Sequence, residues 1–374
     1  MDNSGSTKSK KSLVCSIFDT IPSTEKSTQH EGYSGSEVEK EDDESNALFD
    51  ESKSAFLLQN TVSLKNRNLT KMQPPDPLKL RIQRRNDPDH KQYIKMLSTT
   101  AEGAGEILRS YGVAIIKFSQ APISTNATFS TDFLQTLSKR SEEIEREVCD
   151  RLDAKNIKWR VSIGNDTSAL SSLDIEGKNY FKFQEVASRC LGRLDVRRGT
   201  NSYPFNDPQL TQNNTIVSIV KSLLGDDAKL QYCGLIYSMP NSADQPWHQD
   251  GAPLFDKFEI GNVDLPPYAL NIFIPLQDVD EALGPTEFFP QSHVNNNASK
   301  INEDVEKASK RFPVIAPSLS FGDILLYDYR ICHRGTQNLC INKTRAMLYL
   351  MYTRPWFVEH INFGEKFLFS NPDI

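Results

Sequence analysis

The sequence predicts a mainly β fold of the α+β class: a double-sheet barrel of the jelly-roll or cupin kind, with N-terminal helices packed outside it. Three observations predict this. Helical periodicity is confined to the stretch between Thr99 and Gly225, and short aromatic and branched runs take over beyond it. Those runs are punctuated by Pro266-Pro267, Gly284-Pro285 and Phe321-Gly322-Asp323, the turn chemistry that separates short strands. No internal repeat is present. Helices first and strands after is the order of a β barrel with helices on its outside.

Ahead of that body the composition is different. Residues 1–70 are rich in Ser, Thr, Lys, Glu and Asp, and the run from Glu37 to Glu44 repels itself. Apolar residues are too sparse there to offset ordering entropy, so a disordered tail is expected, a docking segment being the alternative. Residues 71–94, basic and broken by Pro74, Pro75 and Pro77, read as a linker, and 95–374 as the folded domain. The overall hydrophobic content of 38% fits a chain of which part is unpacked.

Composition also excludes. No stretch approaches the roughly 20 apolar residues needed to cross a bilayer. Met1 to Ser12 is polar, with no apolar core of a secretory signal, and Ser370 to Ile374 is no peroxisomal address. Six cysteines without CxxC pairing fit reduced thiols in the cytoplasm. In that setting the triplets at Asn126, Asn165 and Asn297 are sequence only. With 43 basic and 49 acidic side chains, a net charge of −6 gives no electrostatic case for nucleic acid.

Taken in order, Ala101, Ala104, Ile107, Leu108 and Tyr111 recur at helical spacing, and Gly112 stops the helix. A buried strand follows from Gly112 to Phe118. Ser130 or Thr131 then caps a longer helix striped by Phe133, Leu134, Leu137, Ile144, Val148 and Leu152. Residues 155–213 read as irregular, with Trp159, Tyr180, Phe181 and Phe183 embedded, and a third helix runs from Ile216 to Leu224. Strands are expected at Leu230–Met239, Tyr268–Leu276, Val314–Ala316, Asp323–Tyr327 and Thr344–Tyr352.

The chemistry starts at Gln245-Pro246-Trp247-His248-Gln249-Asp250-Gly251. In an extended strand, side chains at i and i+2 leave the same face, so His248 and Asp250 can address one point. They form two corners of a metal site; a second histidine would complete the two-His, one-carboxylate triad of non-heme Fe(II) oxygenases. The chain has six histidines. His30 lies in the tail, His90 in the linker, His293 in a polar loop and His360 past the last strand. His333 directly follows an apolar strand; its other reading is a surface histidine at a strand end. Arg345 lies in a strand apolar on both faces, with no carboxylate nearby in sequence. A buried guanidinium needs a partner, either an internal salt bridge or a dicarboxylic cosubstrate.

The ordered set Gln245–Asp250, Gly284–His293, His333-Arg334-Gly335, Arg345 and Tyr352–Trp356 resembles the phytanoyl-CoA dioxygenase family of Fe(II)/2-oxoglutarate-dependent oxygenases. The resemblance covers about residues 95–360 and includes Gly192-Arg193-Leu194-Asp195. It implies a double-stranded β-helix core with iron held by His248, Asp250 and His333. It implies that Arg345 pairs with the distal carboxylate of 2-oxoglutarate, and that Gln245 and Thr286 touch the same cosubstrate. The family's Pro-Gly-Ser-His turn reads Pro290-Gln291-Ser292-His293 here, and His293 is expected to be structural.

The resemblance implies a dioxygenase using Fe(II), 2-oxoglutarate and O2. Its three protein ligands leave room for the keto acid and dioxygen. Decarboxylation to succinate and CO2 is coupled to oxidation of a C–H bond. Asp250 stands where related halogenases carry a small residue, which favours oxygenation, with hydroxylation the default. Trp247, Phe255, Arg193 and Trp356 are candidate pocket residues. The partner is a small molecule: an organic acid, a lipid-like compound or a specialised metabolite. No polybasic surface suggests a CoA phosphate. Two other classes remain open at this level, a non-catalytic jelly-roll binding protein and a zinc hydrolase.

Overall fold

The computed structural model describes residues 76–118, 129–160, 181–251, 254, 265–294, 301, 307, 313–359 and 362–370. The expected tail at 1–70, and with it His30, lies outside the described residues, as do Tyr180, Phe255, His360 and the triplets at Asn126, Asn165 and Asn297.

Two helices replace most of the expected linker. They are α1 (Pro77–Asn86) and α2 (Pro88–Leu97), and they correct that reading. Pro77 and Pro88 each open a helix, the position where a missing N–H costs nothing. Asp76 and Asp87 accept from the first free backbone N–H groups, so Asp87 ends one helix and caps the next. Arginines fasten α1 to the body. Arg81 Nη1 donates to the carbonyls of Glu281 and Gln337 at 2.9 and 2.8 Å, Arg84 pairs with Glu287, and Arg85 with Glu281.

The expected helices follow closely. α3 (Ala101–Tyr111) ends at Gly112, whose φ of 77° and N–H bond to the Leu108 carbonyl make a left-handed stop. α4 (Thr131–Ala154) is capped by Ser130 Oγ on the Phe133 N–H, and its predicted stripe is buried. Between Ala154 and Asn214, where irregular chain was expected, the described residues hold two strands and a one-turn helix, α5 (Pro208–Thr211). α6 (Asn214–Leu224) ends at Gly225 as expected.

Among the described residues, ten strands form two sheets. In chain order they are β1 (Ser98–Thr99), β2 (Val113–Ile116), β3 (Val186–Cys190), β4 (Arg193–Val196), β5 (Lys229–Ser238), β6 (Ala269–Pro275), β7 (Thr286–Phe288), β8 (Ile324–Asp328), β9 (His333–Gly335) and β10 (Arg345–Thr353). Eight make one sheet in the order β1-β2-β8-β6-β10-β5-β4-β3, antiparallel except for β1 with β2. The other two, β7 and β9, are widened by single bridges: His248 beside His333, and Ile315 beside Phe288. The strand expected at Val314–Ala316 is only that bridge, because Pro313 and Pro317 flank it and cannot donate to a ladder.

Side-chain alternation along β10 shows why the sheets close on each other. Ala346, Leu348, Leu350 and Tyr352 join a core with α4 and α6 on the outer face. Met347, Tyr349 and Met351 join a second core that includes Phe288 and Ile315 from the smaller sheet. A strand buried on both faces reads as continuous apolar sequence. The result is the double-stranded β-helix, helices outside and a cavity between its sheets.

Candidate metal centre

His248 and His333 are brought together by their backbones. Each N–H donates to the other's carbonyl, at 3.0 and 2.9 Å, so the two face each other as an antiparallel pair. Their ring centroids lie 4.5 Å apart. His248 Nδ1 meets the Pro246 carbonyl at 2.9 Å and His333 Nδ1 the Ile331 carbonyl at 3.0 Å. A carbonyl can only accept, so Nδ1 carries the proton in both rings and Nε2 keeps its lone pair.

Both Nε2 atoms face Asp250, at 3.8 Å from Oδ1 for His248 and 3.7 Å from Oδ2 for His333. These gaps are too long for hydrogen bonds. Two donors each about 2.1 Å from one ion lie about 3.0 Å apart at a right angle and about 4.2 Å apart in line. The observed spacing falls inside that range, and all three ligand atoms lie within 4.8 Å of one another. Burial, then the neighbouring His333, push the His248 imidazole down to about 4. The ring is therefore neutral near pH 7, as a metal ligand must be.

Asp250 is itself held. Oδ2 accepts from Asn271 Nδ2 at 2.7 Å and from the Tyr327 hydroxyl at 3.1 Å. Asn271 and Tyr327 are cross-strand partners on β6 and β8. Burial, then the Asp250 charge, raise the Tyr327 phenol well above its ordinary range, so it stays a donor. Asn271 and Tyr327 went unnoticed in sequence because each sits inside an apolar strand. The visible sign is a lone amide in Ala269–Pro275.

The second half of the site is cationic. Arg193, Ser238 and Arg345 form one cross-strand row, since Ser238 pairs with Arg193 on β4 and with Arg345 on β10. Arg345 Nη2 donates to Ser238 Oγ at 2.9 Å and Nη1 to the Gly284 carbonyl, while its buried Nε has no partner. Arg193 Nη2 donates to the carbonyls of Ala243 and Thr336, and its Nε is likewise buried and unpartnered. Among the described residues neither guanidinium has a carboxylate within 4.0 Å, so the internal salt bridge considered for Arg345 is absent there. Burial, then Arg193 and Arg81, push Arg345 well below its ordinary value. Arginine keeps its proton in proteins, so this is the cost of a desolvated cation, increased by two like charges nearby.

Gln245 and Thr286 flank the same spot. Both are neighbours of Gly335: Thr286 pairs with it across β7 and β9, and Gln245 exchanges bonds of 2.9 Å with its backbone through N–H and Oε1. A Cβ at Gly335 would run into Arg193 Nη1 and Gln245 Oε1. Gly335 is thus the floor on which the Arg193 guanidinium lies. The triad, Gln245, Thr286, Arg193 and Arg345 all line one cavity of about 320 Å³, the lower end of small-molecule sites.

The remaining candidates separate. Arg193 lines the cavity. Trp247 packs on Phe289 at 4.4 Å and under Arg334 instead. Trp356 is 59% exposed, beside Tyr268. His293 is buried and faces the Arg109 carbonyl at 3.1 Å, tying its turn to the end of α3, as expected of a structural histidine.

The sequence matches the family model of phytanoyl-CoA dioxygenase (PhyH) over residues 127–345. Among solved structures the chain is similar to AviO1 from Streptomyces viridochromogenes Tue57, at 20% identity and a TM-score of 0.44, over 69% of this chain and 97% of that one. It is similar to SnoN, a non-heme alpha ketoglutarate dependent epimerase from nogalamycin biosynthesis, at 13% identity and a TM-score of 0.42, over 68% and 80%. EctD from S. alaskensis with bound Fe is similar at 17% identity and a TM-score of 0.40, over 71% and 79%.

Proposed function

Because the chain belongs to the phytanoyl-CoA dioxygenase family, we propose that it is an Fe(II)/2-oxoglutarate-dependent dioxygenase that hydroxylates a C–H bond of a small molecule. The observation that carries this reading is the pairing of two incomplete sites in one cavity. Three ligand atoms converge within 4.8 Å of one another, and beside them lie two buried guanidiniums with unpartnered Nε atoms and no carboxylate partner among the described residues. A metal fits the first, and the distal carboxylate of a dicarboxylic keto acid fits the second.

In this reading His248, Asp250 and His333 hold Fe(II). The Nδ1–H bonds to the Pro246 and Ile331 carbonyls fix the ring planes, and Asn271 and Tyr327 orient the carboxylate. Arg345 and Arg193 take the far carboxylate of 2-oxoglutarate, with Gln245 and Thr286 beside it. Bound together with O2, the metal and keto acid would supply the oxidant for the C–H bond, the acid being released as succinate and CO2. The side chains of Ile236, Phe273, Met347 and Met351 give the same cavity an apolar wall that keeps water away.

The catalytic body in this proposal starts at α1 rather than at residue 95, since α1 and α2 are pinned to it. A cytoplasmic location is supported by the five free cysteines among the described residues. No described helix is long and apolar enough to cross a membrane. The test is anaerobic purification followed by Fe(II) titration and assay of succinate release. One Fe(II) per chain with slow release of succinate from 2-oxoglutarate alone supports the reading. Iron binding without turnover supports a binding protein, and zinc-dependent hydrolysis without 2-oxoglutarate turnover supports the hydrolase.

A further inference from the structure

Strand register sets what lies on each side of the metal ligands. Asp250 is held by Asn271 and Tyr327, and Asn271 also pairs with Met351 on β10. Arg345 stands six residues before Met351 on that strand, so the keto-acid end of the cavity lies to one side of this row. Tyr329 is one two-residue step past the row on the other side, with its N–H on the Ala269 carbonyl. A keto acid that reaches from Arg345 to the metal therefore leaves Tyr329, which lines the same cavity, to meet a second molecule.

Tyr329 is fastened to the loop that carries Asp250. Gly251 donates its N–H to the Tyr329 carbonyl at 3.1 Å, and a Cβ on Gly251 would run into the Tyr329 ring. The residue is buried, with the rings of Tyr268 and Phe357 edge-on to it.

A chain of bonds gives its hydroxyl a direction. Arg189 donates through Nε and Nη2 to Asp195, and through Nη1 to Asn362 at 2.9 Å. A guanidinium only donates, so the atom it meets is the amide oxygen, and the amide nitrogen takes the other side. That nitrogen donates to the Tyr329 hydroxyl at 3.3 Å. An oxygen that accepts there turns its own proton elsewhere, and among the described residues that proton has no acceptor. A buried donor left without an acceptor is costly.

The charges around Tyr329 are already matched. Arg189 is paired with Asp195, and Arg197 is paired with Glu359 at 3.4 Å and bonded to the Tyr349 phenol. A carboxylate placed at Tyr329 would meet both cations neutralised and would be repelled by Asp250 and Glu359. An ammonium brings donors only, which leaves the phenol proton unpaired. A neutral oxygen satisfies the proton and adds no charge.

We propose that Tyr329 is a specificity-determining residue whose hydroxyl donates to an uncharged oxygen of the substrate, a carbonyl or hydroxyl, beside the metal. This rests on the oxygenase reading and narrows its substrate class to molecules that are oxygenated but carry no charge at this end.

The test uses the whole chain with Mn(II) in place of iron and N-oxalylglycine in place of the keto acid, so that nothing turns over. Acetophenone, its apolar counterpart ethylbenzene and the anion benzoate are titrated at millimolar concentration. Binding is read from the Mn(II)-enhanced relaxation of their protons, which reports only molecules held near the metal. Tyr329→Phe should weaken acetophenone about fivefold, the return of one neutral hydrogen bond, and leave ethylbenzene unchanged. Asn362→Asp keeps the phenol but offers its proton a carboxylate, so acetophenone should weaken similarly. Both variants should hold N-oxalylglycine as the wild type does. Acetophenone losing no more than ethylbenzene in Tyr329→Phe, or keeping its affinity in Asn362→Asp, overturns the proposal. So does benzoate binding more tightly than acetophenone, or no relaxation effect on acetophenone. Failure of the wild type to bind Mn(II) or N-oxalylglycine overturns the oxygenase reading instead.

Discussion

Arg345 and Arg193 are buried in one cross-strand row on either side of Ser238, whose hydroxyl accepts from Arg345, and among the described residues neither has a carboxylate within 4.0 Å. Two like charges held this way are tolerable only if something anionic joins them, since an uncompensated buried charge costs several kcal/mol.

Replacing Arg345 with Leu should therefore act in opposite directions on two observables. The free protein should gain stability, on the order of 1–2 kcal/mol, because a repelled buried cation is removed. The 2-oxoglutarate requirement should rise about 100-fold, the loss of a bidentate charge-assisted pair. Fe(II) content should stay at the wild-type level. Melting curves with and without 2-oxoglutarate test both: the ligand should stabilise the wild type and not the variant.

Gly335→Ala puts a methyl group where Arg193 and Gln245 now lie. Displacing that guanidinium should weaken 2-oxoglutarate binding by roughly tenfold or more while the three metal ligands stay in place. Isothermal titration with Mn(II)-loaded protein measures it, and an unchanged affinity would remove Arg193 from the cosubstrate site.

Asn271→Ala takes away the shorter of the two bonds that orient Asp250. Iron affinity should fall roughly 10- to 100-fold, the usual effect of losing such a partner. A chelator competition reads this directly. Tyr327→Phe, which removes the longer bond, should have the smaller effect.

Glu287 is 3% exposed and holds Arg84 of α1 and Arg334 of β9 at once. In Glu287→Ala two arginines lose their partner, but Arg84 and Arg334 are 37% and 26% exposed and can hydrate, so a loss of about 1–2 kcal/mol is expected. At about 2–4 °C per kcal/mol for a domain of this size, that is a drop in Tm of roughly 2–8 °C. Arg85→Ala, which removes a half-exposed partner of Glu281, should cost under about 1 kcal/mol.

What the sequence disclosed follows physical lines. His248 and Asp250 were legible because a two-residue spacing needs only an extended backbone. Arg345 was legible because one charge inside an apolar run has few explanations. His333 needed more, since what joins it to His248 is a backbone pair across eighty-five positions, and nothing local announces such a pair. The helices α1 and α2 were hidden by their prolines, which look like breakers unless an aspartate is seen to cap the turn. Strands β3 and β4 were hidden by length and polarity: Arg193-Leu194-Asp195-Val196 alternates, but over four residues only. Arg189, Arg193 and Asp195 reach the cavity from these two strands, so that part of its polar wall was the least readable part of the site.

His248 and His333 stand on the narrow sheet and the paired arginines on the wide one, so on the proposed reading the gap between sheets acts as a ruler. A diacid that grips both ends would need the matching carbon count. Moving the anchor along β10 to the next position on that face would shift it by about 7 Å, far more than any neighbouring homologue of the acid could bridge. On that reading selectivity for one chain length would be set by backbone spacing, with no additional side chain needed to count carbons.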